Sequence, residues 1–195
     1  MDHLGLELVQ KVFGELKISW NKFTNSGIEH SQDSETKEVT LDQIKYASSM
    51  KVIVHPQIQS GKDEDLCEEE LHKLYMSLLG AVAYTNHTRM DISVFISALQ
   101  RFSSKPQIIH IKRLNRLLRW LQRHPKKLLY RKMNLSYGEH LRVVSDAAFK
   151  RETDDGYSLR GAVFLRCCTE SQLAEGVSPE EALHVICHVL DWACR

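Results

Sequence analysis

No stretch of this 195-residue chain is apolar for long enough to cross a bilayer. Its opening residues, Met1-Asp2-His3-Leu4, lack the basic segment and apolar core of a secretory signal. An intracellular protein of cytoplasm or nucleus is therefore expected, neither secreted nor membrane-bound. The five cysteines, Cys67, Cys167, Cys168, Cys187 and Cys194, are odd in number and have no framework spacing, which argues against a disulfide scaffold. With His184 and His188 they do not match a zinc finger or ribbon either. On one strand those two histidines would stand roughly 13 Å apart, too far to share a metal. A nucleophile elbow, a phosphate loop and a glycine-rich dinucleotide fingerprint are all missing.

The most informative absence is of negative charge. Between Ile92 and Gly138 there is no Asp or Glu, while the same window holds eleven Lys and Arg. The whole chain carries +1, so the rest carries −10. Much of that acidity sits in Asp63-Glu64-Asp65 and Glu68-Glu69-Glu70. A basic block without internal acids suits an anionic partner, or the acidic block of its own chain.

Taken in order, Leu4, Leu8, Val12 and Leu16 fall on a helical spacing, which predicts a short amphipathic helix over 4–16. Residues 23–40 read as a β-hairpin: a strand over 23–30 around a turn-prone centre, a polar turn at Gln32-Asp33-Ser34-Glu35-Thr36, and a second strand over 37–40. A short helix is expected over 41–50, with Thr40 as N-cap and Gln43 three residues on. Gln59 to Asp63 reads as loop. Three helices are expected over 65–84, 91–102 and 105–123, with Pro106 near the start of the third.

On the third helix Ile111, Leu114, Leu117, Leu118 and Leu121 form an apolar stripe. Lys112, Arg116, Arg119 and Arg123 fall on another face, with Lys126 and Lys127 just beyond. These six residues are the candidate phosphate-tracking set; a solvated surface face is the alternative. Strands follow over 141–149, 160–167 and 184–192. The first two are expected to pair as an antiparallel hairpin around a polar turn at 151–157, with a long polar connection over 169–182. A three-stranded sheet without a covering helix would leave a bare face and an open edge.

The first of these strands, Leu141-Arg142-Val143-Val144-Ser145-Asp146-Ala147-Ala148-Phe149, carries one carboxylate in an apolar run. Such a group needs a cation, a metal or backbone donors. Ending a strand or starting a turn is the plainer account of Asp146.

Several motifs then agree in order and spacing: Leu74 to Tyr84, Thr88-Arg89-Met90-Asp91-Ile92, Leu99-Gln100-Arg101-Phe102, Pro106, His110, and Arg116 to Leu121. Together they resemble the stretch between polymerase and nuclease in copia-type retrotransposon Pol polyproteins. That family usually has Thr-Arg-Pro-Asp where Met90 interrupts here. Ser145-Asp146-Ala147-Ala148-Phe149 is similar to its Ser-Asp-Ala-Asp-Trp. Ser158 to Leu165 resembles its Ser-Thr-Ser-Gly-Tyr-Val-Phe-Leu, and His188 to Arg195 resembles the strand before its Lys-Lys-Gln. Phe23 to Tyr46 is similar to its Phe-Leu-Gly-Ile region.

The resemblance implies an α+β chain in three segments. Residues 1–62 would close a reverse-transcriptase palm as a β-hairpin remnant. Residues 63–138 would form a basic three-helix thumb and connection segment. Residues 139–195 would open a truncated ribonuclease H-like domain, an incomplete antiparallel three-stranded sheet. Asp146 would match that nuclease's first carboxylate, catalytic and metal-binding, with Mg²⁺ as the implied cofactor.

Two-metal hydrolysis needs several acids around cations about 4 Å apart. The polymerase's Tyr-Val-Asp-Asp and the later nuclease acids are not in the sequence. The expectation is therefore a Pol fragment, inactive alone, that holds Mg²⁺ only weakly. Its expected partners are an RNA–DNA hybrid or other nucleic acid, bound weakly and in a salt-dependent way, and the remainder of the polyprotein. The other readings are a domesticated, non-enzymatic protein-interaction module and a nuclease completed in trans.

Overall fold

The computed structural model describes residues 11–12, 14, 19–132, 138–148, 159–169 and 185–194. It is mixed helix and strand, with two antiparallel sheets. Most of the helix expected over 4–16, the turn at 151–157 and nearly all of the 169–182 connection lie outside the described residues; within 4–16, Lys11 and Val12 are helical and Gly14 is not.

The first sheet begins with β1 (Lys22–Asn25) and β2 (Ile28–Gln32), joined by Ser26 and Gly27, both at positive φ. That is the two-residue turn whose twist matches paired strands. The turn-prone centre expected within one strand is thus a complete hairpin. Gly27 sits against the rings of Tyr46 and Tyr84, and the Tyr84 hydroxyl donates to the Ser26 carbonyl. β3 (Val39–Asp42) returns along β2 after a turn built on Asp33, whose Oδ1 accepts from Glu35 N at 2.9 Å and Thr36 N at 2.7 Å. The fourth strand, β4 (Leu128–Tyr130), comes from far along the chain and pairs with β3.

Thr40 lies inside β3 and does not cap a helix, which corrects the expected N-cap. The helix α1 (Ile44–Ser49) starts later, where Asp42 Oδ1 accepts from Ile44 N at 3.1 Å. Gln43 turns inward instead, donating to the Tyr84 carbonyl and accepting from Thr88 Oγ1. Part of the expected 59–63 loop is helical: α2 (Pro56–Ser60) is capped by His55 Nδ1, and its proline sits in the first turn, where no N–H is needed.

α3 (Glu69–Tyr84), α4 (Ser93–Gln100) and α5 (Ile108–Arg123) form the helical centre. All three start later than the residue pattern suggested. Pro106 precedes α5, which is capped by Gln107 and His110 reciprocally. Ile108 N and Ile109 N donate to the carbonyls of Asp65 and Asp63, so the acidic loop satisfies two orphan donors at the positive end of this helix.

The α5 stripe is buried, with Ile108, Ile111, Leu114, Leu117, Leu118 and Leu121 facing Leu71, Tyr75, Leu78, Leu79 and Val82 of α3 and Ile96 and Leu99 of α4. Each fully buried side chain of this kind contributes about 1.5–3 kcal/mol. Ala47 and Ile53 belong to the same cluster, so packing runs across the 62/63 boundary.

The second sheet has the order β5 (Glu139–Ala148), β6 (Leu159–Thr169), β7 (Val185–Cys194). Among the described residues only its β7 side meets the helical part, and much of the sheet stays exposed as expected. β7 lies against α4, Tyr130 Oη donates to the Val189 carbonyl at 3.1 Å, and the Tyr130 ring meets His188 edge-on. β5 is the open edge, with Leu141, Val143 and Val144 exposed.

Candidate nucleic-acid interface

α5 positions the basic side chains because its apolar stripe fixes which face is turned outward. Lys112, Arg116, Arg119 and Arg123 all emerge on the solvent side. From Arg116 to Arg123 the helix rises about 10 Å, the length of roughly three nucleotides of one strand.

The six candidate cations divide into two groups. Lys112 Nζ meets Asp63 Oδ1 at 2.7 Å, Lys126 Nζ meets Asp91 Oδ2 at 3.1 Å, and Lys127 Nζ meets Asp42 Oδ2 at 3.3 Å. The Lys112–Asp63 pair is exposed and contributes little stability, about 0–1 kcal/mol, whereas the Asp42 partner of Lys127 is buried. The three pairs do neutralise their lysines as phosphate ligands. Arg116, Arg119 and Arg123 have no carboxylate within ion-pair distance among the described residues. Only Lys112 reaches the 63–65 acidic block; the other two lysines use acids elsewhere.

Beside Arg116 and Arg119 lies a hollow of about 390 Å³, lined also by Ile53, His55, Lys112 and Asn115. On the other side of Arg116 lies a wider, mainly apolar groove between α4 and α5. Arg116 stands on the ridge between them.

Thr88-Arg89-Met90-Asp91 proves to be a clamp under this face. Arg89 is 5% exposed, and it donates to Asp91 through Nε at 2.9 Å and Nη2 at 3.0 Å. Its third bond, from Nη1 at 2.9 Å, reaches the His124 carbonyl just past the end of α5. The guanidinium also lies 5.3 Å from the centre of the Trp120 ring. Burial alone would raise the Asp91 carboxyl; hydrogen bonds from Arg89 and Lys126 outweigh it and hold the group below its ordinary value. Arg89 thereby holds the C-terminal end of α5, and with it Arg119 and Arg123.

His110, also among the family-like residues, is a helix cap stacked 3.9 Å from Phe102. Burial, helped by the Arg113 charge, lowers its pKa. The long-range part of both roles was invisible in the sequence, since the His124 carbonyl lies 35 residues from Arg89 and the Phe102 ring 8 residues from His110.

Asp146 lies in β5, in register with Gly161 and through it with Cys194. Its own side chain lies outside the described ones. The neighbouring rungs on that face are Val144, Val163 and Trp192 on one side, and Ala148 and Leu159 on the other. Mg²⁺ prefers several oxygen ligands. None of these register partners carries a second carboxylate. Among the described residues, no three His, Cys, Asp or Glu side chains come together as a metal site.

Sequence comparison supports relation to one class of protein, the retrotransposon Pol polyproteins. The relative found is the retrovirus-related Pol polyprotein from transposon RE1 of Arabidopsis thaliana, 30% identical over 89 residues. That match covers 46% of this chain and 6% of the relative, so the chain corresponds to a small part of it. No family model and no solved structure matches.

Proposed function

We propose that this chain is a retrotransposon Pol-derived fragment that binds nucleic acid without sequence preference through the arginine face of α5, and that it does not cleave RNA by itself. In this reading residues 1–62 descend from the end of a reverse-transcriptase palm, 63–138 from thumb and connection, and 139–195 from the start of a ribonuclease H domain. The observation that carries the binding proposal is the division of the cations: among the described residues, three arginines on one helical face have no carboxylate within ion-pair distance, while the three lysines are paired.

Guanidinium groups bind phosphate in a bidentate fashion and stay charged at any working pH. In this reading the arginines meet phosphates rather than base edges, so affinity comes from the backbone and falls with salt. The sheet's carboxylates Glu139, Asp146 and Asp191 stand opposite Cys168, Gly161 and Phe164, on three different rungs; this supports the absence of cleavage, because two-metal hydrolysis needs a cluster of acids.

Fluorescence anisotropy with a labelled RNA–DNA hybrid, titrated with the full chain between about 50 and 200 mM salt, tests the proposal. Affinity that does not change with salt, or that survives loss of Arg116, Arg119 and Arg123 together, removes it.

A further inference from the structure

The groove between α4 and α5 faces away from the basic hollow and has a different character. It encloses about 590 Å³ and is lined by Phe95, Ala98, Leu99, Phe102 and Leu117, with Trp120 at one end and His110 at the other. Arg113 and Arg116 stand at its edge. Phe95 is 55% exposed and Trp120 is 37% exposed, an unusual cost for two large aromatic rings beside one another's groove. No acidic residue lines it, and neither arginine has a carboxylate within ion-pair distance among the described residues.

We propose that this groove binds an acidic amphipathic helix of a partner protein. The floor is aliphatic and elongated, which suits leucine or phenylalanine side chains spaced one turn apart. Along α5 the groove extends from His110 to Trp120, about 15 Å, which is the length of a helix of about three turns. Exposed aromatic and arginine side chains around an apolar floor are the residue types that dominate binding energy at protein interfaces. Two uncompensated cations at the edge select glutamates or aspartates beside the apolar anchors, and they reject a basic helix.

Stacked nucleic-acid bases suit the groove less well. Phe102 already has His110 stacked on it, and Trp120 already carries His124 at 4.9 Å and the Arg89 guanidinium. A base would find Phe95 as its one uncommitted aromatic platform there.

The proposal does not depend on the nucleic-acid reading. Its test uses the full chain and a fluorescein-labelled 14-residue peptide, helical by design. Leucine and phenylalanine occupy one face at spacings of four and three, with glutamates flanking them. A second peptide replaces every glutamate with lysine. The acidic peptide is expected to bind at least tenfold more tightly than the basic one. Phe95→Ala and Arg113→Glu, both at exposed positions, are each expected to weaken it at least tenfold while leaving thermal unfolding unchanged. Ala98→Trp, which fills the floor, is a second route to the same loss. Arg123→Ala, outside the groove, is expected to leave peptide affinity unchanged while weakening hybrid binding.

Equal binding of the two peptides, or affinity indifferent to Phe95→Ala, Arg113→Glu and Ala98→Trp, overturns the proposal. So does displacement of the acidic peptide by a 12-nucleotide oligothymidine whose own affinity falls with Phe95→Ala, since the groove would then be a nucleic-acid surface. Failure of hybrid binding alone leaves the peptide result standing.

Discussion

The Asn115 side chain brackets the backbone of Ile53: Oδ1 accepts from Ile53 N at 2.8 Å and Nδ2 donates to Ile53 O at 2.8 Å. Asn115 is buried on α5, and Ile53 belongs to the extended segment between α1 and α2. An amide is the side chain that can satisfy both a donor and an acceptor of one residue.

Asn115→Ala is expected to strand both backbone groups. At about 1–3 kcal/mol for each, the loss should be roughly 2–6 kcal/mol, read as a lower urea midpoint. Asn115→Asp replaces the donor with a carboxylate oxygen facing the Ile53 carbonyl in a buried site, and should cost at least as much as Ala at neutral pH. An unchanged midpoint for the Ala variant would show that water replaces the bracket.

Arg89 and Asp91 set the acid limb of stability. The folded Asp91 carboxyl lies below its ordinary value, so its contribution is complete above the unfolded pKa of about 3.9 and is lost as pH falls through the folded one. Asp91→Asn leaves Arg89 buried with a neutral partner. Breaking such a pair costs roughly 3 kcal/mol or more. The variant should melt lower at pH 7, and the gap to the parent chain should narrow as pH falls below about 4. Thermal unfolding followed across pH 3 to 7 checks both expectations.

Tyr75 sets the alkaline limb. It is fully buried, its hydroxyl donates to the Leu99 carbonyl at 2.7 Å, and burial, with Cys67 nearby, pushes its pKa up to about 12. The unfolded chain releases this proton near pH 10 and the folded chain holds it, so stability falls as pH rises from 10 toward 12. Tyr75→Phe should lose about 1 kcal/mol at pH 7 from the missing hydrogen bond. It should then lose less than the parent chain between pH 10 and 12 in urea titrations.

The pairing of the lysines sets the salt response. If three arginines carry the phosphate contacts, log affinity for a hybrid should fall against log salt with a slope of about −2 to −3. All six cations acting together would give about −4 to −5. Arg116→Ala/Arg119→Ala/Arg123→Ala should flatten the slope, and Lys112→Ala/Lys126→Ala/Lys127→Ala should change it by less than about one. The reverse result would assign the contacts to the lysines.

Asp146→Asn is expected to leave the cleavage of an RNA–DNA hybrid in millimolar Mg²⁺ where the parent chain has it, at the level of a mock purification. Cleavage by the parent above that level, lost in the variant, would show that the sheet assembles a nuclease centre after all.

Several elements were legible because they depend on local period. The α5 stripe repeats at helical spacing, the Asp33 turn contains its own donors and acceptor, and the β-branched runs of β5, β6 and β7 mark strands. Thr40 misled because a residue that could cap a helix can equally occupy a strand, and only pairing with Ser31 decides between them. β4 was missed because three residues carry almost no periodic signal, and its partner lies some 90 positions earlier.

The candidate site divides the same way. The acid-free window fixed the sign of the surface, and the helical repeat fixed which arginines share a face. Neither could show that Asp63, Asp91 and Asp42 neutralise Lys112, Lys126 and Lys127, or that Arg89 holds the end of α5. Spacing along a chain sets direction within one helix or strand, because backbone geometry is local. Which charge meets which is decided by packing between elements, and that depends on how separate apolar stripes find each other in three dimensions.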